Sequence, residues 1–147
     1  MTPDRPAGLR FKLLHVGVAV PSLDPTAELL STLFGFSTVS GPFEDPLQKV
    51  VVSFLAKASD LATEIELVAP ASEDSPIRSI LIKRGGGAYH LCLETNDLDA
   101  ALAHVKDNGC VVVSPATPAV AFQGRRIAWI YTPTRQLFEL VEAEPAT

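Results

Sequence analysis

Two histidines stand in nearly the same sequence surroundings, and histidine is the commonest side-chain ligand of metal ions. His15 lies in LLHVGVAVPSLD, and His90 lies in YHLCLETNDLD, 75 positions further along the chain. Two glutamates repeat in a similar way, because Glu66 and Glu139 each begin an ELV segment. Each glutamate interrupts an apolar run, and burying a lone carboxylate is costly unless another group compensates its charge.

A divalent cation bound by these four side chains would compensate both carboxylates. Two neutral imidazoles and two carboxylates balance its charge and leave coordination positions free for water or substrate. Taken singly, each residue could instead be an ordinary structural group, and each glutamate could face water from an edge strand. Because all four follow one repeat, we predict that His15, Glu66, His90 and Glu139 bind one divalent metal ion (Co, Ni, Zn, Mn or Fe).

The repeat extends to the elements that hold these residues. After each histidine segment, a Leu-Asp pair begins a helical pattern that ends at a glycine, Gly35 or Gly109. We expect Asp24 and Asp99 to be the N-caps of these helices. Strand patterns follow, namely KVVVSFLA and ATEIELVA in the first half and CVVVS, RRIAWIY and QLFELVEA in the second.

These patterns predict one α+β domain, residues 1–147, built from two paired β-α-β-β-β modules. The modules span residues 11–70 and 87–144, with approximate boundaries. A connector over residues 71–86 joins them and contains a short helix with Ser75 as its cap.

Strand alternation separates the histidines from the apolar core. Successive side chains of a strand face opposite sides, so His15 shares a face with Gly17 and Ala19, and the valines between them pack on a helix. His90 shares its face with Cys92 and Glu94 in the same way.

Composition and charge exclude several classes of partner. Of 147 residues, 47% are hydrophobic, which suits a folded core. With 12 Lys and Arg against 17 Asp and Glu, the net charge of -5 disfavours nucleic acid and anionic membranes. The sequence has no signal-peptide pattern and no long apolar run, so we expect a cytoplasmic protein. Cys92 and Cys110 fit no disulfide or metal spacing and are expected to be reduced core residues.

The HVGVAVPSLD segment, the ELV strands and the connector resemble the vicinal oxygen chelate superfamily, over residues 13–142. This superfamily includes glyoxalase I, extradiol dioxygenases, fosfomycin and bleomycin resistance proteins and methylmalonyl-CoA epimerases. The segment SPIRSILIKRGGGAYH is similar to the connector of those epimerases. The resemblance implies a cupped, mixed and mostly antiparallel sheet around a metal, with His15, Glu66, His90 and Glu139 at the family's four ligand positions.

The resemblance also implies a mechanism of proton transfer next to a carbonyl. A thioester or ketone oxygen binds the cation, and Glu139 acts as both ligand and acid/base. Epimerases carry a second glutamate at the position where this chain has Leu47 or Gln48. Glu44, three or four residues away, is the predicted second catalytic residue.

The predicted substrate is an acyl-CoA thioester or a similar carbonyl compound. Gln48, Lys49 and Arg126 are expected to contact it, because an amide and two cations suit a polar, anionic molecule. The expected activity is that of a metal-dependent epimerase or isomerase. Since relatives usually dimerise, the resemblance also implies a homodimer.

Three alternatives stay open at the level of sequence. The first is a glyoxalase I-type lyase acting on a hemithioacetal, whose ligand set is also His, Glu, His, Glu. A non-catalytic, resistance-type binding protein is the second, although such relatives commonly lack the full ligand set. The third is an extradiol-type redox enzyme, which uses two histidines and one carboxylate around iron, so the additional acid disfavours it.

Overall fold

The structure, a computed structural model, describes residues 5–144 of the chain. The elements follow one another as β-α-β-β-β, a single helix and a second β-α-β-β-β, which confirms the predicted module pattern. They are β1 Phe11–Ala19, α1 Leu23–Phe34, β2 Ser37–Asp45, β3 Val50–Lys57, β4 Asp60–Pro70, α2 Ile77–Arg84, β5 Gly87–Thr95, α3 Leu98–Asp107, β6 Val111–Pro118, β7 Arg126–Tyr131 and β8 Leu137–Glu142.

The first compact unit comprises residues 15–89. Its strands are ordered β2-β3-β4-β1, with β3 antiparallel to both neighbours and β4 parallel to β1. Helix α1 covers one face, where Leu30 packs on a core that includes Val20, Leu55 and Leu67. Burying these apolar side chains is the main stabilising contribution to this unit.

The second compact unit combines residues 90–144 with residues 5–14. Its strands are ordered β5-β8-β7-β6, with β7 antiparallel to both neighbours and β8 parallel to β5. Leu9 is buried in this unit's core together with Leu98 of α3 and Leu140 of β8. Among the strand pairings within residues 5–144, antiparallel ones predominate, and the predicted α+β class is confirmed.

One strand, β2, was not recognised as a strand segment in the sequence. Its sequence STVSGPFED contains Gly41 and Pro42, two residue types that are rare inside central strands. Within its unit β2 lies at the edge of the sheet, where proline is tolerated because only one side of the strand is paired. Only the module pattern, and not local propensity, implied a strand here.

Helices α1 and α3 each begin two residues earlier than predicted, so the N-cap residues differ from the expected ones. Helix α3 is capped by Asp97, whose carboxylate accepts a hydrogen bond from the backbone N–H of Ala100 at 2.9 Å. The N-cap of α1 is Ser22, although its side chain makes no capping hydrogen bond. Asp24 and Asp99 instead lie in the first turn, where a carboxylate favours the positive end of the helix dipole.

Helix α2, in contrast, begins one residue later than expected. It begins at Ile77 behind Pro76, and Ser75 is buried just before it. Among the residues described, no helix combines the length and apolar character needed to cross a membrane.

The glycines after α2 provide a test of local packing. Gly86 has φ +105°, and a Cβ atom there would lie 2.6 Å from the carbonyl oxygen of Ala19, whereas Gly87 has φ +97° and open space around it. Gly87→Ala is expected to lower the free energy of unfolding by about 1–3 kcal/mol from backbone strain. Gly86→Ala adds the clash and is expected to cost about 1–3 kcal/mol more. Urea denaturation of both variants measures the difference, and equal losses would contradict the close approach to Ala19.

Candidate metal centre

His15 and Glu66 form the first pair, on two adjacent strands of the first unit. Strands β1 and β4 run parallel, and the Cα partner of Glu66 is Gly17, two residues after His15 on the same face. The imidazole Nε2 of His15 lies 3.2 Å from Oε1 of Glu66. Both residues are buried, with 1% and 5% of their surface exposed.

His90 and Glu139 form the second pair, and its geometry repeats that of the first. Strands β5 and β8 also run parallel, and the Cα partner of Glu139 is Cys92, again two residues after the histidine. Nε2 of His90 lies 3.5 Å from Oε1 of Glu139, and both residues are buried. The sequence repeat is therefore a repeat of side-chain geometry.

The burial of the glutamates decides against the water-facing alternative. Glu66 lies on β4, which is paired on both sides by β3 and β1. Glu139 lies on β8, which is paired on both sides by β7 and β5. Neither carboxylate is on an edge strand of its unit, and neither is exposed to solvent. Burial of this kind requires compensation of the negative charge.

The separations within both pairs fit two ligands of one ion. Donors that each lie about 2.1 Å from a divalent cation, at roughly 100–115° to each other, are themselves about 3.2–3.5 Å apart. A hydrogen bond between a protonated imidazole and a carboxylate is usually shorter, about 2.7–2.9 Å. The four side chains offer two imidazole nitrogens and two carboxylate oxygens, a donor set that could hold a metal ion.

Two further acids accompany the histidines on their strand faces. Glu64 is the Cα partner of His15, and its pKa is raised, chiefly because partial burial disfavours the carboxylate; His15 opposes this effect and Glu66 adds to it. Glu94 pairs with the guanidinium of Arg125 at 3.2 Å. Neither acid is fully solvent-facing.

The strand register places Glu44, the predicted second catalytic residue, away from the first pair. On β2 and β3 the register pairs Phe43 with Val52, and on β3 and β4 it pairs Phe54 with Glu66. These four side chains share one face, and Glu44, next to Phe43, is exposed on the other. Proximity in the sequence suggested Glu44, but its position along β2 turns it to the helix side.

Gln48 and Lys49 lie in the turn between β2 and β3. The buried carboxylate of Asp45 accepts a hydrogen bond from the backbone N–H of Gln48 at 3.1 Å. The Lys49 ammonium pairs with Asp74, and hydrogen bonds from Lys49 and Ser72 lower the pKa of Asp74 to about 2. Gln48 is half-buried and Lys49 exposed, and their contact with a substrate remains a prediction.

Arg126 lies on the helix-covered face of the second unit. It shares this face of β7 with Ala128, whose partner Leu140 belongs to the core beneath α3. Its guanidinium binds Glu142 at 3.1 Å and Asp99 of α3 at 3.4 Å. Hydrogen bonds with Asp99 and then Glu142 raise the pKa of Arg126. A substrate contact by Arg126 remains a prediction, and the guanidinium is already bound to two carboxylates on the face opposite to the second pair.

The sequence interpretation did not predict that an aromatic ring contacts each histidine. Phe54 contacts His15 with ring centroids 5.4 Å apart, and Trp129 contacts His90 at 4.7 Å. The available signal was their spacing, since Phe54 and Trp129 are 75 residues apart, as are the two histidines.

Comparison with known proteins gives matches over most of the chain. A family model described as the glyoxalase/bleomycin resistance protein/dioxygenase superfamily matches residues 14–129. The ethylmalonyl-CoA/methylmalonyl-CoA epimerase of Cereibacter sphaeroides is 32% identical over 121 residues, which cover 82% of this chain and 87% of that protein.

Two solved structures extend the similarity to the fold. A methylmalonyl-CoA epimerase from Mycobacterium tuberculosis superposes with a TM-score of 0.79 at 32% identity, covering 90% of this chain and 88% of that one. A methylmalonyl-CoA epimerase in complex with methylmalonyl-CoA and NH4+ superposes with a TM-score of 0.75 at 29% identity, covering 89% and 93%.

Proposed function

Because the chain belongs to the glyoxalase/bleomycin resistance protein/dioxygenase superfamily, we propose that it is a divalent-metal-dependent epimerase of acyl-CoA thioesters. The superfamily resemblance seen in the sequence is confirmed. The observation that carries the proposal is the buried histidine–glutamate contact, made at equivalent places of both modules. Methylmalonyl-CoA or a close analogue is the proposed substrate, because the similar proteins are epimerases named for methylmalonyl-CoA or ethylmalonyl-CoA.

In this proposal the first and second pairs bind one cation together. Each pair contributes one imidazole and one carboxylate, so the two carboxylates of the four-ligand set balance the charge of a divalent ion. Co, Ni, Zn, Mn and Fe all accept mixed nitrogen and oxygen ligands of this kind. The cation offsets the cost of burying two carboxylates, which supports a shared site.

Glu139 is the proposed acid/base. When bound, a divalent cation polarises a carbonyl oxygen and makes the proton on the adjacent carbon more acidic. A carboxylate has two oxygens, so Glu139 can be a ligand through one and accept that proton through the other. Glu44 takes no part, since it faces the helix side of its sheet. The proton that returns to the opposite side of the carbon comes, in this proposal, from solvent.

Proton exchange in heavy water tests the proposed reaction. The metal-loaded protein is expected to interconvert the two epimers of methylmalonyl-CoA and to place deuterium on the carbon next to the thioester. Removing the cation with a chelator is expected to abolish both, because the carbon acid is then not activated. Mass spectrometry of the thioester follows deuterium, and chiral analysis follows the epimers. A loaded protein that exchanges no proton on any of a small panel of acyl-CoA esters would contradict the proposal.

The same panel separates the alternatives. Turnover of a hemithioacetal without exchange on thioesters would indicate a lyase, and oxygen-dependent turnover would indicate a redox enzyme. Tight binding of a small molecule with no turnover would indicate a resistance-type protein. Homodimer formation and a cytoplasmic location remain predictions.

A further inference from the structure

Two aromatic rings occupy equivalent positions of the repeat, each on the same face of the sheet as the glutamate of its own unit. On β3 and β4, Phe54 is the register partner of Glu66. On β7 and β8, Trp129 is the register partner of Glu139. Partners across antiparallel strands point to the same side of a sheet, so each ring shares a face with the glutamate of its own unit.

Each ring also packs edge-on against the histidine of its pair. The His15 and Phe54 rings are inclined at 61°, with centroids 5.4 Å apart. The His90 and Trp129 rings are inclined at 84°, with centroids 4.7 Å apart. Edge-to-face contact is the favoured geometry for aromatic pairs. One histidine is thus held between an aromatic ring and a carboxylate in each unit.

This contact restricts the imidazole. The ring of a histidine rotates broadly about its Cβ–Cγ bond, so an unrestrained imidazole turns its Nε2 atom through many directions. A neighbour packed against one side removes most of these orientations, and a side chain ordered beforehand loses less conformational entropy when it binds a ligand. The observed orientation directs Nε2 of His15 and of His90 towards the glutamate of the same pair.

We propose that Phe54 and Trp129 are positioning residues, which hold His15 and His90 in the orientation that the metal ion requires. The inference rests on the proposed metal site and deepens it, since neither ring is a ligand. Trp129 makes the closer and more nearly perpendicular contact, so its removal has the larger effect. Groups that orient a ligand histidine typically change metal affinity by about 10- to 100-fold.

Cobalt binding to Trp129 variants tests the inference. Trp129→Leu is expected to weaken Co²⁺ binding about 10-fold or more and to shift the visible absorption bands of bound cobalt, because His90 is no longer held. Trp129→Phe keeps a ring edge and is expected to restore affinity to within about threefold. Titration against a chelator gives the affinity, and the absorption spectrum reports the ligand geometry.

Phe138→Leu is the matched control for lost aromatic packing. Phe138 also packs in the second unit, but it lies beside Glu139 on β8 and faces the helix-covered core. Its loss is expected to lower the melting temperature without changing cobalt affinity or spectrum. If Phe138→Leu weakens cobalt binding as much as Trp129→Leu does, the effect is general destabilisation and the inference is wrong.

Phe54→Leu provides a second, independent variant in the first unit. It is expected to weaken Co²⁺ binding less than Trp129→Leu, and Phe36→Leu, which alters the helix-covered core of that unit, is the control. Wild-type cobalt affinity and spectrum in both Trp129→Leu and Phe54→Leu would overturn the inference and leave the metal site intact. No cobalt binding by the wild-type chain would overturn the proposed function and the inference with it.

Discussion

Replacing Glu139 by glutamine is expected to lower kcat for epimerisation by about 10²–10⁴-fold, the usual contribution of a general base. Glutamine keeps the size of the side chain and an oxygen that can bind a metal, but it accepts no proton at neutral pH. Deuterium incorporation from heavy water is expected to fall by the same factor. Initial rates with methylmalonyl-CoA, measured after metal loading, give the comparison.

Glu142→Gln is the matched control for this substitution. Glu142 lies on the same strand as Glu139, but on the helix-covered face, where it binds Arg126. Its replacement is expected to cost some stability and to leave kcat within about threefold of the wild type. Should Glu139→Gln retain wild-type exchange rates with a full complement of metal, Glu139 is not the base.

His90→Ala is expected to lower the affinity for a divalent cation by at least about 100-fold, since even groups that only orient a ligand contribute up to that factor. The weaker binding is also expected to reduce the stabilisation of the folded state by bound metal. Co²⁺ at 100 times the wild-type Kd stabilises the folded wild type by about 2.7 kcal/mol, whereas a variant that binds 100-fold more weakly gains only about 0.4 kcal/mol, so the melting temperature is expected to rise clearly in the wild type and little in the variant. Thermal denaturation with and without cobalt measures both.

His104→Ala provides the control for general effects of losing an imidazole. His104 lies in the last turn of α3, where its backbone carbonyl accepts a hydrogen bond from Asn108. Its replacement is expected to leave the cobalt-dependent stabilisation unchanged. If cobalt stabilises His90→Ala as much as the wild type, His90 is not a ligand of the metal ion.

The two buried histidine–glutamate pairs could be predicted because the repeat and strand alternation are both properties of sequence. His15 and His90 lie in similar sequence segments, 75 positions apart. An isolated acid in an apolar strand, such as Glu66, indicates a buried charge that needs compensation. These signals depend on the period of a strand, which is two residues, and not on which strands become neighbours. They were therefore sufficient to identify both pairs.

The predicted roles of Glu44 and Arg126 depended on information that the sequence does not carry. Whether Glu44 faces the first pair is decided by the register of β2 against β3, and a shift of one residue reverses the face. Whether Arg126 is available to an anion is decided by the carboxylates packed beside it, Asp99 and Glu142, which are distant in the sequence. Pairing partners across strands and helices become known only from the fold.

The contact of Trp129 with His90 is a further feature that the sequence alone did not predict. An aromatic residue in a strand is more often part of the core, so the residue type alone did not indicate a role. Trp129 and Phe54 are separated by the same number of residues as the two histidines. This equal spacing indicates a role only once the structure shows that each ring packs on a histidine.

The central claim is that the two histidine–glutamate pairs share one cation, and X-ray absorption at the cobalt edge, combined with metal analysis, tests it most directly. We predict one Co²⁺ per chain whose spectrum requires two imidazoles together with carboxylate oxygens, and a single imidazole in His90→Ala. Two ions per chain with one imidazole each, or one ion without imidazole ligands, would contradict the shared site.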